Sequence, residues 1–242
     1  MRDRDSRRAF FTIAGAGALL AACRPEAHAS VPLATSAAPA GDKGDDVSAT
    51  EDLMREHGVI RRVLIVYREA ATRLRSKPAL VPPDALQGAA KLMRTFAEDY
   101  HEKQLEEAYI FPAVRKAGGL LVTTVDTLIA QHQRGREVTE YILAATQRAI
   151  GAQTAEPLAR TLEAFARMYE EHAAVEDTIV FPAWKKVLSP KELDEMGDRF
   201  EDIEHKTFGK DGFDDAVGQV AAIEKLMGID LAAMTAPPPP GP

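Results

Sequence analysis

Two stretches of this chain place a histidine and a glutamate at nearly the same distance ahead of a Phe-Pro pair. The first reads HEKQLEEAYIFPAV over residues 101–114, and the second reads HAAVEDTIVFPAW over residues 172–184. In the second stretch Glu176 follows His172 by four residues, which places both side chains on one face of a helix. Imidazole and carboxylate groups on one helix face can hold a metal ion. The repeat therefore indicates metal chemistry.

Four of the six histidines lie on four different stretches with helical periodicity. A lone histidine on an apolar face is more often an ordinary core residue than a ligand. At a rise of about 1.5 Å per residue, His57 lies about 27 Å before its helix ends, and His101 lies about 25 Å after the next helix begins. By the same count, His132 lies about 27 Å before its helix ends, and His172 lies about 25 Å after its helix begins. We therefore expect all four to meet in one layer, an arrangement that chance rarely produces.

The stretch that must position these residues, 51–235, has apolar residues three and four positions apart and no alternation typical of strands. Long helices with short connections predict an all-α fold, an antiparallel up-and-down four-helix bundle with two extra C-terminal helices packed outside it. Ser189 and Glu192 are spaced as a capping box before the fifth helix, and Gly118 and Gly119 end the second. The predicted helices span about 50–75, 84–116, 120–150, 155–187, 190–204 and 213–227.

A buried layer of imidazole and carboxylate groups is costly unless its members are paired or bind a metal. Glutamates lie beside two of the histidines, Glu176 in one helix and Glu102 with Glu106 in another. The only cysteine, Cys23, lies far from these motifs, so the donor set contains no thiolate. Imidazole with carboxylate suits iron, manganese or zinc. Because two carboxylates can bridge, we expect two metal ions rather than one.

The histidine motifs, in this order, resemble the hemerythrin-like HHE cation-binding domain. The stretch LMREHGVIRRVL and the two Phe-Pro motifs carry the resemblance, and the run FEDIEHKTFGKDGFDDAVGQVAAIEKLMGIDL is similar to tails in a bacterial branch of that family. The resemblance implies a non-haem site with two iron ions, manganese and zinc being the alternatives. It implies four terminal histidine ligands and two bridging carboxylates, which are His57, His101, His132 and His172 with Glu106 and Glu176.

The sequence departs from the family pattern at the first bridging carboxylate. Counting back from Phe-Pro aligns Glu106 with Glu176, yet Glu106 follows His101 by five residues, and Leu105 holds the expected place. On a regular helix five residues turn the side chain about 140° away. Either a π-bulge lies here or Glu102 takes part in the site.

A second departure concerns the third helix. Hemerythrins proper carry a further histidine four residues from the ligand of that helix, and here the position is Arg136. One iron should therefore lack a ligand. The candidates to supply it are His205, Glu102 or a water molecule.

The resemblance implies that an open metal position binds dioxygen or another small diatomic or peroxide ligand. We expect oxygen binding, sensing or scavenging, by a binding protein rather than a dedicated enzyme, and we assign no catalytic residue. The alternatives are turnover of peroxide or nitric oxide at the same site, a single-metal storage or sensing module, and a bundle without metal. The ferritin-like element Glu98-x-x-His101 occurs once, which disfavours a ferritin-like protein. A sensor would need a separate signalling or redox partner.

The N-terminus indicates export. Arg7 and Arg8 precede an apolar run over 9–22 that is too short to span a bilayer and resembles a twin-arginine signal. Leu-Ala-Ala-Cys at 20–23 is similar to a bacterial lipobox, so we expect a lipid anchor on Cys23 at the periplasmic face of a membrane. Cleavage after Ala29 is the alternative.

The remaining segments complete the predicted organisation. A flexible tether covers 23–50, the hemerythrin-like metal-binding domain covers 51–235, and a Pro-rich tail covers 236–242, after the export signal of 1–22. The formal net charge of −7 argues against nucleic acid as a partner. We expect contact with a membrane only through the lipid anchor.

Overall fold

The computed structural model describes residues 47–239. The predicted export signal, the lipid anchor at Cys23, most of the tether and the last three residues of the Pro-rich tail lie outside the described residues. All regular secondary structure within 47–239 is helical, without a strand, so the all-α prediction is confirmed. In the same part of the chain, no helix combines the length and the apolar character needed to cross a bilayer.

The first helix, α1, spans Ala49–Ser76. Its N-cap is Ser48, whose hydroxyl oxygen accepts a hydrogen bond from the backbone N–H of Glu51 at 3.3 Å. Acidic side chains in the first turn and basic side chains in the last turn both interact favourably with the helix dipole. The helix therefore begins inside the segment that the sequence assigned to the tether.

The second long helix changes its winding along its length. It begins as α2 over Pro83–Leu92, continues as a π-helical segment over Met93–Ile110 and ends as α3 over Phe111–Ala117. In a π-helix each N–H bonds to the carbonyl five residues back, so residues five apart share a face. Gly118 and Gly119 end the helix at φ values of 76° and 65°, which glycine adopts without strain.

The third and fourth long helices follow. Helix α4 spans Leu120–Ala145, shorter than predicted, and α5 spans Ala152–Val175. A second π-helical segment, Glu176–Val180, then leads into α6 over Phe181–Val187.

Both Phe-Pro pairs lie directly after a π-helical segment. The backbone N–H of Phe111 bonds to the carbonyl of Glu106, and that of Phe181 bonds to the carbonyl of Glu176. A proline in a regular α-helix clashes with the carbonyl four residues back. The wider π turn relieves this clash, which explains why the Phe-Pro motif and the π turn recur together after each predicted bridging glutamate.

The last two helices, α7 over Pro190–Phe208 and α8 over Gly212–Met227, pack against α1 and against the second long helix. The predicted capping box is confirmed, because the N–H of Glu192 bonds to the Ser189 hydroxyl at 3.3 Å and the N–H of Ser189 bonds back to Glu192 at 2.7 Å. Arg62 of α1 holds α8 by donating two hydrogen bonds to Glu224, at 2.8 Å and 2.6 Å.

The apolar core is interrupted at one level by polar side chains. Helix α1 packs along α5, and α4 packs against both α2 and α5, with Tyr67, Phe165 and Trp184 among the largest buried side chains. Buried acids and histidines from all four long helices lie between these apolar layers. They are Glu56, His57, Glu98, His101, Glu102, Glu106, His132, His172 and Glu176.

Loss of the ion pair between α1 and α8 should lower stability. The Glu224 side chain is 9% exposed, so Glu224→Ala leaves the Arg62 guanidinium partly buried without its partner. We expect the free energy of unfolding to fall by about 1–3 kcal/mol. The measurement is urea unfolding of the chelator-treated protein, followed by circular dichroism.

The control is Glu163→Ala, which removes an equally bidentate partner of Arg75 at the surface, where the Glu163 side chain is 44% exposed. This change should cost less than about 1 kcal/mol, because exposed ion pairs contribute little. Equal losses in the two variants would mean that the Arg62 pair has no special role in holding α8.

Candidate metal centre

The four predicted histidines meet as two pairs. The Nε2 atoms of His57 and His101 lie 3.1 Å apart, and those of His132 and His172 also lie 3.1 Å apart. Each pair joins two helices, and all four side chains are buried. Nitrogen ligands lie about 2.0–2.1 Å from a metal such as zinc, so neighbouring ligands of one ion are about 3 Å apart. Each pair is therefore spaced to bind one ion.

Two glutamates lie between the pairs. One oxygen of Glu106 is 3.4 Å from Nε2 of His101, and the other is 3.4 Å from Nε2 of His132. Glu176 reaches both pairs as well, with Oε2 at 3.0 Å from Nε2 of His172 and at 3.5 Å from Nε2 of His57. Each carboxylate can thus bridge two metal positions.

The four oxygens of these two glutamates are buried and, within residues 47–239, make no hydrogen bond. A buried acceptor without a partner costs about 1–3 kcal/mol, and more when it is charged. Ligand atoms from Glu106, His132, His172 and Glu176 all lie within 4.8 Å of one another, and those of His57, His101 and Glu106 do so too. The residues therefore fit two adjoining metal ions that share Glu106.

The π-helical winding explains the five-residue spacing of the first motif. Glu106 lies five residues after His101 inside the segment Met93–Ile110, where five residues complete about one turn. The second motif uses a four-residue spacing, because His172 still belongs to the regular helix α5. Leu105, at the position where a regular helix would place the ligand, packs in the core at 1% exposure.

Each histidine is held from behind by a side-chain oxygen of a different helix. A hydrogen bond from Nδ1–H fixes the tautomer and leaves Nε2 free to bind metal. The partners are acids for three histidines and an amide for the fourth. The bonds join His57 to Asp177 at 2.7 Å, His101 to Glu56 at 2.6 Å, His132 to Glu107 at 2.8 Å and His172 to Gln131 at 2.9 Å.

These four supporting residues were missed at the level of sequence, although a signal was present. Each one is the chain neighbour of a predicted ligand, as Glu56 is of His57 and Asp177 is of Glu176. The support is given to a histidine of another helix, however, so the neighbouring position alone does not reveal the role.

Glu102 and His205, the two further predicted ligands, are placed differently. Glu102 accepts hydrogen bonds from the Tyr169 hydroxyl at 2.7 Å and from Arg136 at 3.2 Å, so both of its oxygens have partners. Burial raises the pKa of Glu102. His205 is exposed on α7, where its Nδ1 donates to the Glu201 carbonyl at 3.0 Å, and it is not brought to the site.

A small cavity adjoins the histidines, and its walls include Ile60, Glu102, Tyr169 and Ala173. The Tyr169 ring reaches this wall because residue 135 is glycine. A Cβ atom at Gly135 would overlap the Tyr169 hydroxyl, so a larger residue there would displace the ring. A glycine inside a helix costs about 1 kcal/mol relative to alanine, and here it allows the contact between Tyr169 and Glu102.

In the absence of metal, electrostatic interactions favour a protonated His132 beside an ionised Glu106. Burial lowers the pKa of His132, but Glu102, Glu106 and Glu107 together raise it to about 10. Burial alone would raise the pKa of Glu106, yet the nearby His101 and His132 bring it well below its usual range. Metal ions would have to displace these protons from the imidazoles.

Comparisons with known proteins agree with this geometry. The model of the hemerythrin HHE cation binding domain matches residues 48–184, a span that includes both histidine pairs and both glutamates. Uncharacterized proteins of Mycobacterium tuberculosis and Mycobacterium bovis are 47% identical to the chain over 192 residues, which cover 78% of this chain and 74% of each relative. No solved structure matches the chain.

The raised pKa of His132 predicts how stability depends on pH in chelator-treated protein. The folded state binds this proton more tightly than the unfolded chain, whose histidine has a pKa near 6.5. The stabilisation is complete below pH 6.5 and is lost as the pH rises towards about 10. The melting temperature should therefore fall between pH 6.5 and pH 10, as measured by circular dichroism.

The variant His132→Gln serves as the comparison, since it lacks the titrating group, and its melting temperature should vary less over this window. Metal-loaded protein should not show the fall, because metal binding requires the neutral imidazole and strengthens as protons leave. A melting temperature that rises from pH 6.5 to pH 10 in chelator-treated wild-type protein would contradict the assigned protonation.

Proposed function

This chain belongs to the hemerythrin HHE cation-binding domain family, and from that premise we propose that it holds two iron ions within its helical layer. His57 and His101 would bind one ion, and His132 and His172 the other. Glu106 and Glu176 would bridge the two ions. Manganese and zinc are the alternative metals for this donor set.

The observation that carries this proposal is that the buried carboxylate oxygens of Glu106 and Glu176 make no hydrogen bond to any part of the chain that the structure describes. They face four imidazole nitrogens, and each carboxylate lies within 3.5 Å of both histidine pairs. Two cations would compensate the charges of the two carboxylates directly. The hydrogen bonds at Nδ1 orient each imidazole so that its Nε2 faces these carboxylates.

The proposal includes the arrangement of the helices as an antiparallel up-and-down bundle with α7 and α8 outside it. It is supported by the short connections and by the packing of α1 against α5 and of α4 against α2 and α5. In such a bundle, facing helices supply ligands to a common layer.

We propose that the site binds dioxygen or a related small oxidant. A bound iron pair would supply the electrons and the open coordination positions for such a ligand. Each position receives two histidines and shared carboxylates, which leaves room for an added ligand. Ile60 and Ala173 give the adjoining cavity an apolar wall, and Tyr169 and Glu102 give it a polar one.

Turnover of peroxide or nitric oxide is the second candidate function, and the cavity contains the observation that favours it. The Tyr169 hydroxyl donates to Glu102 at 2.7 Å beside the histidines, where it can orient a polar ligand. A storage or sensing module with a single metal is the third candidate.

The iron content of the chain tests the proposed site. We expect two irons per chain in protein purified anaerobically, and one or none in Glu176→Gln, because the amide lacks the negative charge that bridges the ions. The measurement is elemental analysis with parallel circular dichroism. Glu171→Gln, an exposed change five residues earlier in the chain, should keep both irons.

Optical spectra recorded while oxygen is admitted separate the candidate functions. Visible bands that appear under oxygen and vanish on its removal support reversible binding. Irreversible oxidation supports turnover of an oxidant. Two irons in Glu176→Gln would refute the bridging role of this glutamate. Fewer than two irons in the wild type would refute the pair of ions.

We further propose that the protein is exported and held at the periplasmic face by a lipid on Cys23, with the tether separating anchor and domain. The lipobox-like sequence supports this location. Cys23→Ala should move the protein from the membrane fraction to the soluble fraction, because acyl chains supply the anchoring energy. Cell fractionation with immunoblotting measures the change.

The control for this variant is Ser30→Ala, a change that leaves both the cysteine and the Ala-His-Ala cleavage sequence intact. Wild-type protein in the soluble fraction would support cleavage after Ala29 instead. An unchanged membrane fraction in Cys23→Ala would exclude the lipid as the anchor.

A further inference from the structure

We propose that the two metal positions bind with unequal affinity, the position of His57 and His101 being the tighter one. This inference rests on the proposed function, because it requires two ions. It is carried by the hydrogen-bond acceptors behind the histidines, which differ between the two positions. An acceptor that is ionised strengthens the histidine as a ligand more than a neutral one does.

The tighter position has a carboxylate behind each histidine. Nδ1 of His101 lies 2.6 Å from Glu56, whose side chain is 1% exposed, and the other oxygen of Glu56 accepts from the Tyr100 hydroxyl at 3.0 Å. This bond lies deep inside the protein, where a charged acceptor acts at low dielectric. His101 is therefore supported by a buried carboxylate.

The second histidine of this position has a similar partner. Nδ1 of His57 lies 2.7 Å from Oδ1 of Asp177, and the guanidinium of Arg61 bonds to the other oxygen, Oδ2. The Arg61 side chain is 42% exposed, and it bonds to a different oxygen from the one that faces His57. Oδ1 thus remains an ionised acceptor for His57.

At the other position the acceptor behind His172 is neutral. Its Nδ1 lies 2.9 Å from the amide oxygen of Gln131. A hydrogen bond to an ionised acceptor is about twice as strong as one between neutral groups. Judged by its hydrogen-bond partner, His172 should therefore be the weakest metal ligand of the four histidines.

His132 has a carboxylate partner that is shared with a cation. The same oxygen of Glu107 accepts from His132 at 2.8 Å and from Arg136 at 2.6 Å, and the Arg136 side chain is only 24% exposed. The nearest oxygen of Glu102 is 3.9 Å from Nδ1 of His132, beyond hydrogen-bond range, and Arg136 also bonds to it. The cation thus reduces the negative charge felt by His132.

The two positions should therefore fill in sequence. Outer hydrogen-bond partners of this kind change metal affinity by about 10- to 100-fold. With one neutral acceptor and one carboxylate oxygen shared with a cation, the position of His132 and His172 should bind iron at least about tenfold more weakly. When iron is limiting, the chain would carry a single ion at His57 and His101.

Titration of the chelator-treated full chain with Fe²⁺ under anaerobic conditions tests the inference. A competing chromophoric chelator reports the free metal, so the readout is affinity rather than activity. We expect two binding steps in the wild type. Gln131→Glu should strengthen the second step by about tenfold and leave the first unchanged, which brings the two steps together.

Gln133→Glu is the matched control, because it adds the same charge at an exposed position two residues away on α4. It should leave both steps as in the wild type. The converse variant, Glu56→Gln, removes the charge behind His101 and should weaken the first step by about tenfold. Melting temperatures of all variants check that the fold is retained.

The outcomes distinguish this inference from the proposed function. Two ions that bind in one step, or two steps that neither Gln131→Glu nor Glu56→Gln shifts, would overturn the inequality while leaving the diiron site intact. A shift of the first step by Gln131→Glu would reverse the assignment and also overturn it. Fewer than two ions in the wild type would refute the proposed function together with this inference.

Discussion

The structure depends on the burial of two glutamates among four histidines in the middle of a helical core. Charged carboxylates are costly in such a place, and among the described residues the oxygens of Glu106 and Glu176 face imidazole nitrogens without forming a hydrogen bond. Imidazole nitrogens surround them, and the two imidazoles of each pair lie so close together that they repel one another when both are protonated. The two cations that we propose would offset the charge of both carboxylates. Four further polar side chains hold the histidines in place.

Support between helices gives this layer its rigidity. Glu56 and Asp177 support the first histidine pair, and Gln131 and Glu107 support the second, in each case from a neighbouring helix. Each long helix thus supplies a ligand and also orients a ligand of another helix. The two π-helical segments contribute to the same arrangement, because the first turns Glu106 towards the histidines and both accommodate the proline that follows. Local winding and tertiary packing are coupled at the glutamates.

The departure at Arg136 has a structural consequence. Hemerythrins proper have a further histidine at this position. Here the Arg136 guanidinium donates hydrogen bonds to Glu102 and Glu107 instead. Glu102 is thereby kept as a hydrogen-bond acceptor of Arg136 and Tyr169 rather than a free ligand. The same arginine lowers the negative charge behind His132. One side chain thus takes the position of a family histidine and also bonds to the carboxylate behind His132.

The sequence by itself determined the helical class, the capping box at Ser189 and the common level of the four histidines, because these follow from periodicity and local hydrogen bonding. It also identified both glutamates of the repeat, although it left Glu106 and Glu102 as alternatives. Only the tertiary structure decided that Glu106 faces the histidines, since this depends on the π-helical winding. The pairing of the histidines and their supports was likewise decided by packing. The bond between His57 and Asp177 joins residues 120 positions apart, and no local pattern encodes such a contact.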